Sequence, residues 1–353
     1  MSDSSLTELH AFAAAHGVPR RGFERDHYDV PAETYGLLVS VGASPVSARE
    51  VVRRLEASGL RKRKATAMAP RAPGNQLLRP RRLVPGDLVA VPATAGVVPA
   101  EQVQPGVKRL ESWGLRVQLS EHLLTKHSTL PYLAGSDELR AAEFTSAWMD
   151  PAVSGVMLAR GGYGTQRMLD LLDWKQLAEA EPKVLVGFSD VTALHQAIAA
   201  WLGLVTVHSH VLTSLGRATE PSSEGLRALL MEPDTVVDLL AREPPGDPVA
   251  VLSRGQADGV LLGGNVSMLA AGIGTRPTRV ARGGIAILED VTEDVYRLDR
   301  MLTQLIRTGW FEGIAGIVAG KFTDCGDPAE LDAMLADRLL PLGVPILLGA
   351  DVG

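Results

Sequence analysis

From Leu83 onward the chain repeats one texture, a short strand-like apolar run followed by a helix-length amphipathic stretch. The first series of runs covers Asp87 to Pro92, Gly155 to Leu158, Val184 to Gly187 and Gly203 to Val207. A second series, Gly259 to Gly263, Gly284 to Leu288, Ile314 to Ala319 and Val344 to Leu348, follows a Pro-rich break near Glu243 to Pro248. Strands that alternate with helices make βαβ units around a parallel sheet, which predicts an α/β fold. The break divides that part into two lobes, 83–247 and 248–353. No internal repeat is evident.

With 353 residues the chain exceeds the size at which one core stops growing, so more than one domain is expected. Residues 1–82 hold 14 Lys/Arg against 8 Asp/Glu and the rest hold 21 against 33, so a net charge of −6 conceals a basic beginning and an acidic remainder. Residues 1–64 read as a small helical or α/β unit, with helical spacing at 4–16 and at 46–60, where Ser47 is placed to cap. Its segment His16 to Pro31 gathers Arg, Asp, His and Tyr, and reads either as functional or as a surface loop with internal ion pairs. Residues 65–82 form a Pro/Arg-rich linker. The cationic run from Arg53 to Arg82 could touch nucleic acid, but without interleaved aromatics a solvated linker is the better reading, and nucleic acid is not expected as a partner. The single cysteine, Cys325, has no internal disulfide partner and no nearby histidine, and reads as a small buried residue. No apolar run approaches membrane-spanning length and the first residues lack a signal-peptide pattern, so the expected location is the cytoplasm, away from any membrane.

In open α/β sheets ligands bind beyond the carboxyl ends of the strands. Three such ends carry chemistry. After Gly155–Leu158 comes Ala159-Arg160-Gly161-Gly162-Tyr163-Gly164, whose glycines would let backbone amides approach a ligand, although a plain tight turn looks the same. After Val184–Val186 comes Gly187-Phe188-Ser189-Asp190, and a serine between strand and helix occupies the position of a nucleophile elbow. Its usual second glycine is missing, and by local pattern alone Ser189 or Asp190 is better read as an N-cap. After Ile285–Leu288 comes Glu289-Asp290-Val291-Thr292-Glu293, carboxylates that could orient a base or hold a metal, or simply favour a helix start. HExxH, paired CxxC and Walker patterns are absent from the sequence, which expects no metal and no cofactor.

Taken in order, LVPGD at 83–87, YLAGSDELRAAEF at 132–144, ARGGYGTQRMLDLLDW at 159–174, VGFSDVTALH at 186–195, GGN at 263–265 and LEDVTEDVYRLDRML at 288–302 resemble the LD-carboxypeptidases. This family of serine peptidases includes murein tetrapeptide carboxypeptidases and microcin C-type immunity peptidases. The likeness runs from about Leu83 to the last residue, and six separated motifs in order make it specific. It implies a Rossmann-like parallel-sheet lobe bearing the nucleophile, a C-terminal α/β lobe of swivelling type, and a site between them. It implies Ser189 as nucleophile, Glu289 as the carboxylate that orients a catalytic histidine, and the backbone N–H groups of Asp190 and Gly162 as oxyanion donors. Arg160, Gly161, Tyr163, His208 and Asn265 would line the substrate site. Residues 1–64 resemble a short uncharacterised bacterial domain and lack its first strand.

One departure stands out. The family histidine follows the strand that here reads Val344 to Leu348, and by spacing it would be the residue after Gly353; none of the eight histidines present matches it. His195, His208 and His210 all belong to the nucleophile's lobe, so Glu289 is expected to lie near the cleft yet lack a histidine partner within hydrogen-bond reach. The resemblance therefore implies a serine carboxypeptidase that releases D-Ala from L,D-peptide bonds of muropeptides, apparently truncated and inactive in this 353-residue form, with a peptide substrate and a homodimer as its partners. The alternatives are a vestigial muropeptide-binding protein and a microcin C-type immunity peptidase.

Overall fold

The computed structural model describes residues 5–20, 30–47, 77–232, 249–276 and 281–353, with Phe23, Glu24, His27, Tyr28, Glu50, Arg53, Arg54 and Asp234. The chain divides into two units, Met1–Ala67 and Met68–Gly353.

In the first unit α1 (Leu6–Ala15) starts where the Ser5 hydroxyl accepts the Glu8 N–H at 3.1 Å. The two-residue strands β1 (Phe23–Glu24) and β2 (His27–Tyr28) pair antiparallel, and α2 spans Ala32–Ser40. Ala13, Val18 and Leu38 form a small core. From His16 to Pro31 the structure pairs Tyr28 with His10 at 2.8 Å. Ser47 accepts the N–H of Glu50 at 3.3 Å, as its capping role requires. Most of the helix expected over 46–60, and the basic run Arg61–Lys64, lie outside the described residues.

The second unit carries two sheets, as the alternation of runs predicted. The first has the order β4-β3-β5-β6-β7, all parallel, from β3 (Leu88–Val91), β4 (Arg116–Leu119), β5 (Val153–Met157), β6 (Val184–Gly187) and β7 (Val207–His208). Successive side chains of a strand face opposite ways. Val89, Val91, Met157, Val184 and Val186 pack on one face beneath α3 (Val103–Ser112), α8 (Leu212–Leu215) and α9 (Glu220–Met231). Ala90, Val156, Leu158 and Leu185 pack on the other beneath α4 (Asp137–Met149), α5 (Thr165–Leu169), α6 (Trp174–Leu177) and α7 (Thr192–Trp201). Each buried Leu or Val contributes about 1.5–3 kcal/mol, which is why these runs read as nearly continuous apolar stretches. The strand expected at Gly203 to Val207 is shifted: Val207–His208 form it, and Leu204 makes a lone bridge to Leu78. Of the expected linker, 77–82 are described and are tied to this unit, Leu78 by that bridge and Arg81 by an ion pair with Asp87 at 2.7 Å.

The second sheet has the order β8-β12-β11-β10-β9, from β8 (Ala250–Ser253), β9 (Leu261–Asn265), β10 (Ile285–Val291), β11 (Gly316–Thr323) and β12 (Ile346–Leu348), with β8 alone antiparallel. Leu288, Ile317, Ala319 and Ile346 pack against α10 (Val266–Gly272), α11 (Val295–Arg307) and α12 (Pro328–Leu339), and Cys325 is buried in the same core. Among the described residues no helix is long and apolar enough to cross a membrane.

Candidate active site

Numbered from its own first strand, the nucleophile-bearing sheet has the order 2-1-3-4-5, and such sheets open a crevice where neighbouring strands send their chains to opposite faces. Here that point lies between β3 and β5. The loops leaving these strands, 92–98 and 158–164, touch through the Gly96 N–H, which donates to Gly161 O at 3.1 Å.

β6 delivers Ser189 beside them. The strand ends at Gly187, where a Cβ would stand 2.4 Å from Val191 Cγ1. The chain then turns sharply through extended Phe188 into Ser189, which holds φ +62°. Such a conformation costs a non-glycine residue about 1–3 kcal/mol and tends to persist where the surroundings enforce it. A short 3₁₀ turn, Ser189–Val191, leads into α7, giving the strand–turn–helix of an elbow. No side-chain cap forms at either helical start, so the N-cap reading of Ser189 and Asp190 does not describe them. Asp190 is fully buried, and its Oδ2 instead accepts the Thr165 N–H at 2.8 Å, from the far side of the glycine turn. Burial raises the Asp190 pKa, against the hydrogen bonds from Thr165 and the charge of Arg140.

Gly161 packs on the serine: a Cβ at 161 would lie 3.0 Å from Ser189 Cβ and 3.2 Å from its Oγ. Gly162 has φ +108° and rests on Gly96. Arg160 donates to Val97 O, and Tyr163 holds its half-exposed ring 6.1 Å from the equally exposed ring of Tyr132. Tyr132 and Arg140 lie within one of the motifs quoted above, but nothing in their local pattern singles them out.

From the second sheet β10 brings Glu289, which is fully buried with neither carboxylate oxygen hydrogen-bonded. Burial, with the neighbouring Asp290 charge adding to it, pushes its pKa up to about 8, while the Asn265 amide opposes the shift. Asn265 is occupied structurally. Its Oδ1 accepts the Met268 N–H at 3.1 Å, its Nδ2 donates to Asp290 Oδ1 at 3.0 Å, and its own N–H donates across to Thr192 Oγ1 at 3.1 Å.

As expected, Glu289 has no histidine within hydrogen-bond reach among the described residues, although His208 Nε2 of the nucleophile's lobe approaches its Oε1 to 3.6 Å. The two sheets approach closely because position 264 is glycine: a Cβ there would meet Thr192 Oγ1 at 2.6 Å and His208 Nδ1 at 3.2 Å. The pair is not an ion pair. Burial, with His195 adding, depresses the His208 pKa to about 3, and 3.6 Å is longer than a hydrogen bond, so a neutral imidazole faces a carboxyl that binds its proton tightly. Phe188 packs edge-on against His208 at 5.2 Å, which joins the elbow to Glu289. His195 is turned aside to Gly187 O at 3.1 Å, and His210 bonds Ser222 Oγ at 2.8 Å. Gly353 also lies beside Glu289: a Cβ there would be 3.1 Å from Glu289 Cβ.

Known proteins resemble this chain over most of its second unit. The LD-carboxypeptidase N-terminal domain model matches residues 89–209 and the C-terminal domain model matches 258–353. A domain of unknown function matches 1–58. A putative carboxypeptidase of Streptomyces coelicolor is 48% identical over 274 residues, covering 77% of this chain and 86% of that protein. The murein tetrapeptide carboxypeptidase of Pseudomonas aeruginosa is 34% identical over 240 residues, or 67% and 77% of the two chains. Among solved structures, an MccF-like protein from Bacillus anthracis superimposes with a TM-score of 0.69 at 25% identity, covering 78% of this chain and 91% of that one. The muramoyltetrapeptide carboxypeptidase of Oxalobacter formigenes does so with 0.63 at 27%, covering 75% and 88%.

Proposed function

Since the chain belongs to the LD-carboxypeptidase family, we propose that it is a cytoplasmic serine carboxypeptidase that removes the terminal D-residue from L,D-linked muropeptides. The observation that carries this reading is Ser189 itself, held at φ +62° on a strand–turn–helix elbow against Gly161. In this reading the Ser189 hydroxyl attacks the carbonyl of the scissile bond. The N–H groups of Gly162 and Asp190 receive the charge that develops on the carbonyl oxygen, which is the largest electrostatic demand of acyl transfer. An imidazole takes the serine proton and gives it to the departing amine; water then releases the acyl group by the same route in reverse. Glu289 orients that imidazole. A residue attached to Gly353 would begin beside Glu289.

His208 is the rival for that role on the strength of its 3.6 Å approach to Glu289. Its pKa near 3 makes it a weak base at neutral pH, so it suits a supporting part. Muropeptides are preferred to microcin-type substrates because the relative at 34% identity is named for the former. The test is release of D-Ala from an L,D-tetrapeptide by this chain and by the chain extended with a histidine-bearing segment after Gly353, each with and without Ser189→Ala. Release by the extended chain that vanishes with Ser189→Ala supports the proposal. Release indifferent to Ser189→Ala removes both the nucleophile and the mechanism.

A further inference from the structure

The loops at the crevice of a doubly wound sheet diverge, and their backbone carbonyls must find partners away from the ligand. Arg140, in the first turns of α4, supplies them here. The residue is fully buried, and its Nη1 donates to Thr94 O, on the loop after β3, and to Gly164 O, at the end of the glycine turn after β5, both at 2.6 Å. Gly164 has φ +138°, and a Cβ on it would stand 2.6 Å from Arg140 Nη1, so this glycine belongs with the arginine rather than with a ligand. The Nη2 pairs with Asp137, one turn back on α4. Asp137 also accepts from Arg167 Nε and Nη2, each at 2.9 Å, so two guanidinium groups share one carboxylate.

The connection continues into the elbow. Thr165, next after Gly164, donates its N–H to Asp190 Oδ2 at 2.8 Å, and the Thr94 and Thr165 hydroxyls lie 3.5 Å apart. A short path of hydrogen bonds therefore links the guanidinium to both turns that bear the proposed oxyanion donors, Gly162 two residues before Gly164 and Asp190 itself.

We propose that Arg140 is the positioning residue that presets the oxyanion-binding turns, holding the glycine turn against the elbow before substrate arrives; the proposal rests on the serine-carboxypeptidase reading above. Stability alone is a poor reason to bury a guanidinium, since an apolar side chain of similar volume commonly serves a core as well or better. What an apolar side chain cannot do is bridge two carbonyls on diverging loops with one amino group, and the planar fork of arginine does so while a further N–H holds Asp137.

The experiment uses Arg140→Gln, Arg140→Lys and Asp137→Asn in the full protein carrying the histidine-bearing extension tested above, which is the unaltered protein of the comparison. The last leaves the guanidinium in place and removes charge at a partly exposed position, so it folds where a change at 140 does not. We expect kcat for D-Ala release to fall about 10²-fold in Arg140→Gln, as for loss of one oxyanion donor, less in the other two, and KM to stay within about threefold. Affinity for a peptide boronic acid, which forms a tetrahedral adduct on serine, should fall in step with kcat while affinity for the tripeptide product holds. Hydrogen exchange should quicken in segments 159–168 and 186–194, together with the Thr94 loop that shares the guanidinium, and not elsewhere in the unit. A folded variant with kcat unchanged, or with protection lost uniformly across the unit, overturns the positioning role. Should the unaltered protein release no D-residue while the two segments still respond to Arg140→Gln, the carboxypeptidase reading falls and the positioning role stands. Normal release by the unaltered protein and by all folded variants has the opposite meaning.

Discussion

Replacing Ser189 by glycine and by alanine separates the strain at the elbow from its chemistry. Ser189 holds φ +62°, a conformation that costs an L-residue about 1–2 kcal/mol because Cβ crowds the following carbonyl. Alanine keeps the Cβ and therefore the strain. Glycine sheds it, and gives back about 0.5–1 kcal/mol through its greater freedom in the unfolded chain. The net expectation is that Ser189→Gly is more stable than Ser189→Ala by about 0.5–1 kcal/mol, or about 1–2 °C in Tm for a unit of this size. Both variants lose the hydroxyl, so both should lose D-Ala release. Differential scanning calorimetry of the two variants at one pH, alongside the release assay, reads both quantities. A glycine variant that melts no higher than the alanine variant would refute the argument that the turn stores strain.

Other expectations follow from the same geometry. Gly187→Ala places a methyl where Val191 Cγ1 now stands 2.4 Å away, and should destabilise by about 1–3 kcal/mol while reducing the rate, measurable as a lowered denaturant midpoint and kcat. Burial holds the Glu289 pKa at about 8 against an ordinary 4.5, so the folded state binds this proton more tightly; its stabilisation is present below pH 4.5 and is lost as pH rises through 8. Glu289→Gln should therefore gain Tm relative to the unaltered protein as pH rises from 4.5 to 8, and a gap that stays constant or narrows contradicts it. His195 and His208, depressed to about 4 and 3, act in the opposite sense, stabilising above pH 6.5 and failing as pH falls, but they cancel in that comparison. Tyr132→Ala should raise KM for a tetrapeptide about three- to tenfold with kcat within twofold, as loss of one aromatic face at the rim would. An unchanged KM would leave Tyr132 outside the substrate's reach.

The buried strands were legible because a strand covered on both faces must be apolar throughout, and that leaves a run such as Val184–Val186 with little ambiguity. β4 was not, since Arg116-Val117-Gln118-Leu119 is an edge strand with one side in solvent. Ser189 could be placed at a strand end by pattern, yet its pattern fits an N-cap better; the positive φ that separates the two is a property of the folded turn. Arg140 reads locally as an exposed charge on DELRAAEF, and its burial depends on carbonyls 46 and 24 residues away. His208 could be placed in the nucleophile's lobe by chain position, but its approach to Glu289 could not be read. Only the close approach of the two sheets over Gly264 brings it to Glu289, and no local periodicity encodes that meeting.

The seam between the two sheets is closed by uncharged groups: the Asn265 N–H on Thr192 Oγ1, Gln196 Nε2 on Gly263 O at 3.4 Å, and a neutral His208 against Glu289. Mobile ions screen charges, with a Debye length of about 8 Å at physiological ionic strength, and have almost no hold on dipoles in direct contact. These contacts are thus little affected by screening. The exposed ion pairs, such as Arg109–Glu220 and Arg282–Glu312, can weaken in concentrated electrolyte without the site coming apart.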